Sequence, residues 1–303
     1  MRPFAAPIWG IEAMEAFLLQ LVAGIATGGI YASVALAIVM IYQATHHVNF
    51  AQGEMATLST FMALSFIQAG LPYWLAFVAT LVVSFIMGAL VERIIMRPVA
   101  NAPVLTHVGV YIGMLLIVSN LTGWVFGHTV KAFPSPFEGG GMVLGGLFSA
   151  HQLGSTAITL GVLILVYLFF TRTSLGLAMR ATAYNPRSAR LVGIRVDRML
   201  ALGWGLAAAI GAVAGMMVAP VVFLDPNMML GILLYAFAAA LLGGIDHPPG
   251  AVAGGFIVGV LENLAGAYIV GTELKLTVAL VIIIGVLVLR PSGLFGRKLQ
   301  ARV

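Results

Sequence analysis

The chain is 303 residues long, 61% hydrophobic and only 8% charged, with a net charge of +5. A soluble domain of this size carries roughly 25% charged residues, so the composition excludes one and points to an all-α, polytopic transmembrane helical bundle. Cysteine is absent, which excludes disulfides, thiolate nucleophiles and cysteine metal sites. The length alone admits two soluble domains, but no polar block is large enough to form one, so residues 1–303 read as a single membrane domain.

The first residues, MRPFAAPIWGIEAME, lack a cleavable signal pattern, because Glu12 and Glu15 directly precede the first apolar run. Apolar runs of spanning length fall at about 17–42, 55–70, 73–95, 104–126, 153–171, 199–223, 229–245, 250–270 and 274–290. Runs 55–70 and 229–245 are short enough to be kinked or re-entrant. The expected count is therefore about 9 segments, within 8–10. Nine crossings with the N-terminus outside put twelve of the fifteen Lys and Arg residues in the cytoplasm. Only Arg2, Lys131 and Lys275 lie outside, which is the asymmetry that orients membrane proteins. The C-terminus, with Arg290, Arg297, Lys298 and Arg302, is then cytoplasmic. The 127–152 segment is the longest external loop, and it is irregular enough to touch a partner. Trp9, Tyr73, Trp74 and Trp124 sit near run ends and suit interfacial anchoring. Small-residue pairs Gly24/Gly28, Gly211/Gly215, Gly250/Gly254 and Gly255/Gly259 have the spacing that lets helices approach closely.

Two stretches put polar groups where hydrocarbon is expected. The first, HHVNFAQGEMATLSTF, carries His46, His47, Asn49, Gln52 and Glu54. Such groups are tolerated where they face a cavity or the bundle interior, and Gly53 would mark a break where a helix end points at a ligand. An ordinary cytoplasmic turn is the competing reading. The adjacent His46 and His47 do not share a helix face, so they make no metal site. The second is Glu262-Asn263, near the middle of the 250–270 run. A carboxylate there marks either a functional site or a helix–helix hydrogen bond. GGIDHPPG, from Gly243 to Gly250, reads as a tight cytoplasmic turn with Asp246 and His247 solvated. LRPSGLFGRK stops the last helix at Arg290-Pro291.

The segment 172–198 carries six arginines against Asp197, a net charge equal to that of the whole chain. It must lie in water and forms a cytoplasmic loop. Asn185 suits an N-cap, Pro186 the first helical position and Gly193 a left-handed C-terminal cap. PRSARLV between them makes about two helical turns. Arg187 and Arg190 share one face, with Ala189 and Val192 on another. The segment is either a solvated loop that fixes topology or a short helix offered to a soluble partner. No G-x-x-x-x-G-K-[ST] is present, so the chain cannot cradle ATP phosphates. H-E-x-x-H and G-x-S-x-G are also missing, so the chain is not expected to be an enzyme or to hold a cofactor or metal. The basic residues are too scattered to hold nucleic acid; the surface expected to meet the chain is membrane lipid.

Four stretches resemble one family: VNFAQGEM, GLAMRATAYNPRSARLVGI, AFAAALLGGIDHPPGAVAGGFIVGVLEN and LRPSGLFG. In this order they look like the LivH-type permease subunits of bacterial ABC importers for branched-chain amino acids, a group that includes urea and short-amide importers. Gln52 stands where that family usually has His, and Asp246-His247 replaces a Gly-Ser-like turn. The resemblance implies half of a translocation pathway in the bacterial inner membrane, paired with a second permease subunit of the LivM-like kind. It further implies two cytoplasmic ATPase subunits and a periplasmic substrate-binding protein. On this reading Asn49, Gln52, Glu54, Glu262 and Asn263 line or gate the pathway. ATPase coupling falls to Asn185, Pro186, Arg187, Ala189, Arg190 and Gly193. The rival readings are a stand-alone secondary transporter or channel using Glu54 or Glu262 as an ion site, and a membrane scaffold subunit.

Overall fold

A computed structural model describes residues 8–45, 47–137, 142–143 and 148–296. Arg2, His46, Arg297, Lys298 and Arg302, and positions 138–141 and 144–147 of the 127–152 loop, lie outside the described residues. The described chain is nearly all helix: α1 (Ile8–Thr45), α2 (Gln52–Gln68), α3 (Tyr73–Val91), α4 (Val104–Phe126), α5 (Ala150–Arg172), α6 (Ser174–Tyr184), α7 (Pro186–Leu191), α8 (Val196–Val222), α9 (Met228–Gly243), α10 (Pro248–Ala265) and α11 (Lys275–Leu289). A two-residue antiparallel pair, Met142–Val143 with Phe148–Ser149, is the strand structure among the described residues.

Every apolar run maps onto a helix, because backbone polar groups in hydrocarbon must be satisfied within the segment. Among the described residues, seven helices are long and apolar enough to cross a membrane. The two short runs are α2, with 17 residues, and α9, with 16. At 1.5 Å per residue each reaches about 25 Å, less than the ~30 Å hydrocarbon core. α1 begins at Ile8, ahead of its apolar run, because Glu12 and Glu15 do not stop a helix. α3 ends in a π-helical stretch, Glu92–Met96, that buries Glu92. Trp74 and Trp124 are exposed, as anchoring requires.

α1 and α8 are mostly buried, whereas α3, α4, α5 and α11 show most of their surface outward. The layers meet through small residues. A Cβ on Gly259 would lie 2.3 Å from the Gly28 Cα, and one on Gly28 would lie 2.9 Å from the Phe256 Cα. Gly24 and Gly255 complete this seam between α1 and α10. Gly211 and Gly215 admit α2 against α8, and Gly250 and Gly254 admit α9 against α10. Without a hydrophobic force between helices in lipid, such backbone approach is what van der Waals attraction can use. All four spacings seen in the sequence thus serve helix contacts.

The GGIDHPPG and LRPSGLFG motifs pack on each other. Leu294 N–H donates to the Leu242 carbonyl at 2.7 Å and Phe295 N–H to Gly243 at 3.2 Å, so LRPSGLFG folds back onto the GGID turn. His247 is not simply solvated: its Nδ1 accepts the Gly250 N–H at 2.9 Å and caps α10. Gly259→Val is expected to lower stability by about 1–3 kcal/mol, the usual cost of forced overpacking. Gly161→Ala, where a Cβ meets nothing within 4 Å, should be neutral. Thermal unfolding in detergent distinguishes the two.

Candidate functional site

Residues 47–51 turn back from the end of α1 and deliver α2 into the bundle. Asn49 fixes the turn, its Oδ1 accepting the Ala51 N–H at 3.0 Å and its Nδ2 donating to Gln52 Oε1 at 3.4 Å. Gln52 Nε2 donates to the Ala207 carbonyl at 2.9 Å. Ala207 lies eleven residues into α8, so α2 starts about 16 Å along that helix. Gly211 leaves room for the Gln52 amide, because a Cβ there would sit 2.7 Å from Nε2. Gly53 marks no break: it belongs to the first turn of α2 and lies against Met229 and Leu233 of α9. The starts of α2 and α9 therefore meet inside the bundle.

Glu54 sits in this junction, buried, with Oε2 lacking a hydrogen-bond partner. The Ser119 hydroxyl and the Asp225 carboxylate are the side chains that act on it. Ser119 also donates to Asn227 Oδ1 at 3.0 Å, and Asp225 Oδ1 accepts the Asn227 N–H at 2.8 Å, which fixes the approach to α9. A carboxylate in the first turn of α2 gains from the positive end of that helix, which offsets part of its burial. Asp225, Ser119 and Asn227 went unremarked in the sequence, where each lies in an undistinguished turn or apolar run.

Glu262 and Asn263 form a separate cluster. Tyr31 Oη donates to Glu262 Oε2 at 2.8 Å, and Lys275 Nζ lies 3.6 Å from Glu262 Oε1. The same ammonium donates to Asn263 Oδ1 at 2.8 Å, and Asn263 Nδ2 donates to Thr27 Oγ1 at 3.0 Å. Tyr31 stacks on Tyr235 with centroids 4.8 Å apart. The cluster thus ties α1, α9, α10 and α11 together. Among the described residues no hydrogen bond or ion pair joins it to Glu54. Lys275, taken in the sequence as a topological marker, supplies the counter-charge.

The 172–198 segment is more built than two turns of helix. Thr173 Oγ1 accepts the Gly176 N–H at 3.0 Å and starts α6, an element the sequence did not disclose. Asn185 Oδ1 accepts the Ser188 N–H at 3.0 Å and Pro186 opens α7. Gly193 has φ +84°. Its N–H bonds the Arg190 carbonyl at 3.1 Å and the Ile194 N–H bonds Ala189 at 3.0 Å, a Schellman stop. Ala189 is 3% exposed, seated within its own chain and not presented outward. The outward residues include Tyr184, Arg187, Arg190, Leu191 and Val192, with Leu191 89% exposed. Arg190 pairs with Asp197 at 3.6 Å across an exposed surface, a contact worth little on its own. Arg97 bridges Glu92 at 2.6 Å and donates to the Asp197 carbonyl at 3.2 Å, joining the end of α3 to the start of α8. Glu92 holds the Arg97 guanidinium above its ordinary pKa, chiefly by that hydrogen bond.

Lys275→Met should destabilise the chain by on the order of 2 kcal/mol, because it strands a buried carboxylate; Lys275 is partly exposed, which keeps the cost below that of a fully buried pair. Lys275→Met with Glu262→Gln should recover part of the loss. A double-mutant cycle on thermal unfolding measures the coupling.

Residues 20–287 match the family model of the branched-chain amino acid transport system permease component. The chain is 32% identical over 296 residues to the high-affinity branched-chain amino acid transport system permease protein LivH of Escherichia coli K12, covering 93% of this chain and 96% of that one. It is 31% identical to BraD of Pseudomonas aeruginosa, a permease protein described in the same words, over the same shares. Among solved structures it is similar to a chain of PsaBC from Streptococcus pneumoniae in complex with Fab, at 18% identity and TM-score 0.44 over 92% of each chain, too weak a likeness to carry weight. A helical bundle with seven membrane-length helices, matched over nearly its whole length, is thus placed: the chain belongs to the LivH-type permease components of branched-chain amino acid ABC transport systems.

Proposed function

We propose that the chain forms half of the translocation pathway of an ATP-driven importer for branched-chain or related amino acids. A second, LivM-like permease supplies the other half. Two ATPase subunits dock from the cytoplasm, and a periplasmic binding protein delivers the solute. The observation that carries this reading is α7. A helix this short is marginal alone, yet it is capped at both ends, seated through Ala189 and left with Tyr184, Leu191 and Val192 uncovered in an arginine-rich segment. Aromatic and aliphatic anchors rimmed by arginine are the composition of an interface core. Segment 172–198 is then the coupling loop of a single permease domain spanning 1–303. Asn185, Pro186 and Gly193 set its geometry, and Arg187 and Arg190 meet acidic groups on the ATPase.

The pathway residues divide by role. Asn49, Gln52 and Glu54 line or gate the route where the starts of α2 and α9 meet, with those two helices as the broken elements. Glu262 and Asn263 hold the surrounding helices and act on the route through them. The topology has nine membrane segments, counting α2 and α9, with the N-terminus outside and the C-terminus in the cytoplasm. A reporter fused after Arg302 should read as cytoplasmic and one in the 127–152 loop as periplasmic; the reverse result would overturn this topology.

A second reading rests on Glu54, whose unpartnered Oε2 would suit an ion or proton site in a stand-alone transporter. Urea or a short amide remains a rival solute, since Gln52 departs from the family pattern. Coupling decides between the two mechanisms. Arg187→Glu with Arg190→Glu should weaken ATPase co-purification by like-charge repulsion, and Leu191→Asp should do so by removing an anchor. Both should abolish substrate-stimulated hydrolysis in proteoliposomes while leaving insertion intact. Normal association and coupling in both variants would overturn α7 as the docking element, and a wild type that co-purifies no ATPase would favour the stand-alone mechanism.

A further inference from the structure

A cleft of about 480 Å³ lies between α1, α5 and α10. Its walls are apolar over most of their area, including Leu36, Leu163, Val252 and Phe256. It opens sideways through α5, where Leu160, Ile164 and Tyr167 are exposed. The polar groups gather at one end: Gln43 at the end of α1, Thr171 at the end of α5 and Arg180 on α6. Pro248 marks the same end on α10. The cleft extends eleven residues along α5 from Leu160 to Thr171 and eight along α10 from Pro248 to Phe256. These are about 16 Å and 12 Å, close to half of the ~30 Å hydrocarbon core.

Arg180 is the only charged residue of the lining, and among the described residues it makes no ion pair or hydrogen bond. A smaller recess adjoins it and shares Met40, Gln43, Phe170 and Arg180. Thr182 lines that recess, 3% exposed, with an Oγ1 that has no hydrogen-bond partner. The site therefore offers one free cation and one orphaned hydroxyl at the mouth of an apolar slot as deep as one leaflet.

We infer that this cleft binds an anionic phospholipid of the cytoplasmic leaflet, one acyl chain lying along α5 and the phosphate meeting Arg180 at the mouth. A translocated amino acid would need a partner for both its ammonium and its carboxylate, and the lining has no acid. A helix of a neighbouring subunit would cover the apolar wall yet leave the guanidinium uncompensated. An anionic amphiphile satisfies both ends, and basic pockets between membrane helices on the cytoplasmic side have this preference.

The leaflet assignment rests on the proposed orientation. Lipid retention is read in detergent, where no leaflet exists, so a failed topology and a failed lipid site give different results. The transporter, purified with its partner subunits from bilayers of equal phosphatidylglycerol and phosphatidylcholine, is delipidated and examined by native mass spectrometry. Wild type should retain phosphatidylglycerol over phosphatidylcholine by roughly fivefold, the preference that one arginine near a headgroup supports. Arg180→Gln should bring the two lipids to parity, whereas Arg195→Gln should leave the preference intact. Val252→Trp, which fills the slot, should lose both lipids. If that variant fails to assemble, the Arg180→Gln arm still decides. Parity in the wild type, or a preference unchanged by Arg180→Gln, would overturn the inference. So would a photo-crosslinker at Ile164 that captures the second permease subunit and no lipid.

Discussion

The structure depends on the backbone approach of α1 and α10. Gly24 and Gly28 on one helix interleave with Gly255 and Gly259 on the other. Lipid tails are as apolar as leucine, so association here draws on contact and on hydrogen bonds. Both are present along one face of α1. Between and beside the glycines stand Thr27 and Tyr31, which reach Asn263 and Glu262. The seam brings those polar partners within range, and the partners fix the register of the seam. Lys275 extends the arrangement to α11 and Tyr235 to α9. α8 stands on the other side of α1 and carries α2 on its own glycine face.

The helices were legible because hydrocarbon leaves the backbone few options. Continuous apolar runs had to be helices, and their limits were set by residues such as Pro72 and Pro103, which directly precede α3 and α4. The shortness of 55–70 and 229–245 was visible too, and α2 and α9 are the helices that fall below membrane length. What could not be read was who meets whom. Glycine spacing does not name its partner, and in a chain with 36 glycines chance pairs are expected. α6 stayed hidden because its Gly176 and Thr182 weaken helix propensity, and tertiary support from α5 and α8 overrides that weakness.

The candidate residues were legible by type more than by role. A carboxylate in an apolar run announces itself, but whether it faces a route or a neighbour is a matter of the other helices. Glu262 has a lysine thirteen residues downstream that closes on it across a turn; Glu54 has no such partner among the described residues. For α7 the caps followed from local backbone chemistry, which is why Asn185, Pro186 and Gly193 could be placed from sequence. The face could not. Two turns of helix have too few residues for periodicity to choose a side, and the seat of Ala189 depends on its neighbours α6 and α8.

α7 does not hang on a flexible tether. Gly193, Ile194 and Arg195 alone separate its C-cap from α8, and Arg190 reaches across to Asp197 in the first turn of that helix. α8 is a single rod of 27 residues, about 40 Å long, and Gln52 is fastened to it at Ala207. In the coupling role proposed for α7, the assembly would act as a lever with its handle in water and its load inside the bilayer. A tilt imposed on α7 would then be delivered as a displacement of the buried start of α2, with only one short joint in which the motion could be lost. The stiffness of that joint, three residues behind a Schellman stop, would set how much of each stroke reaches the load.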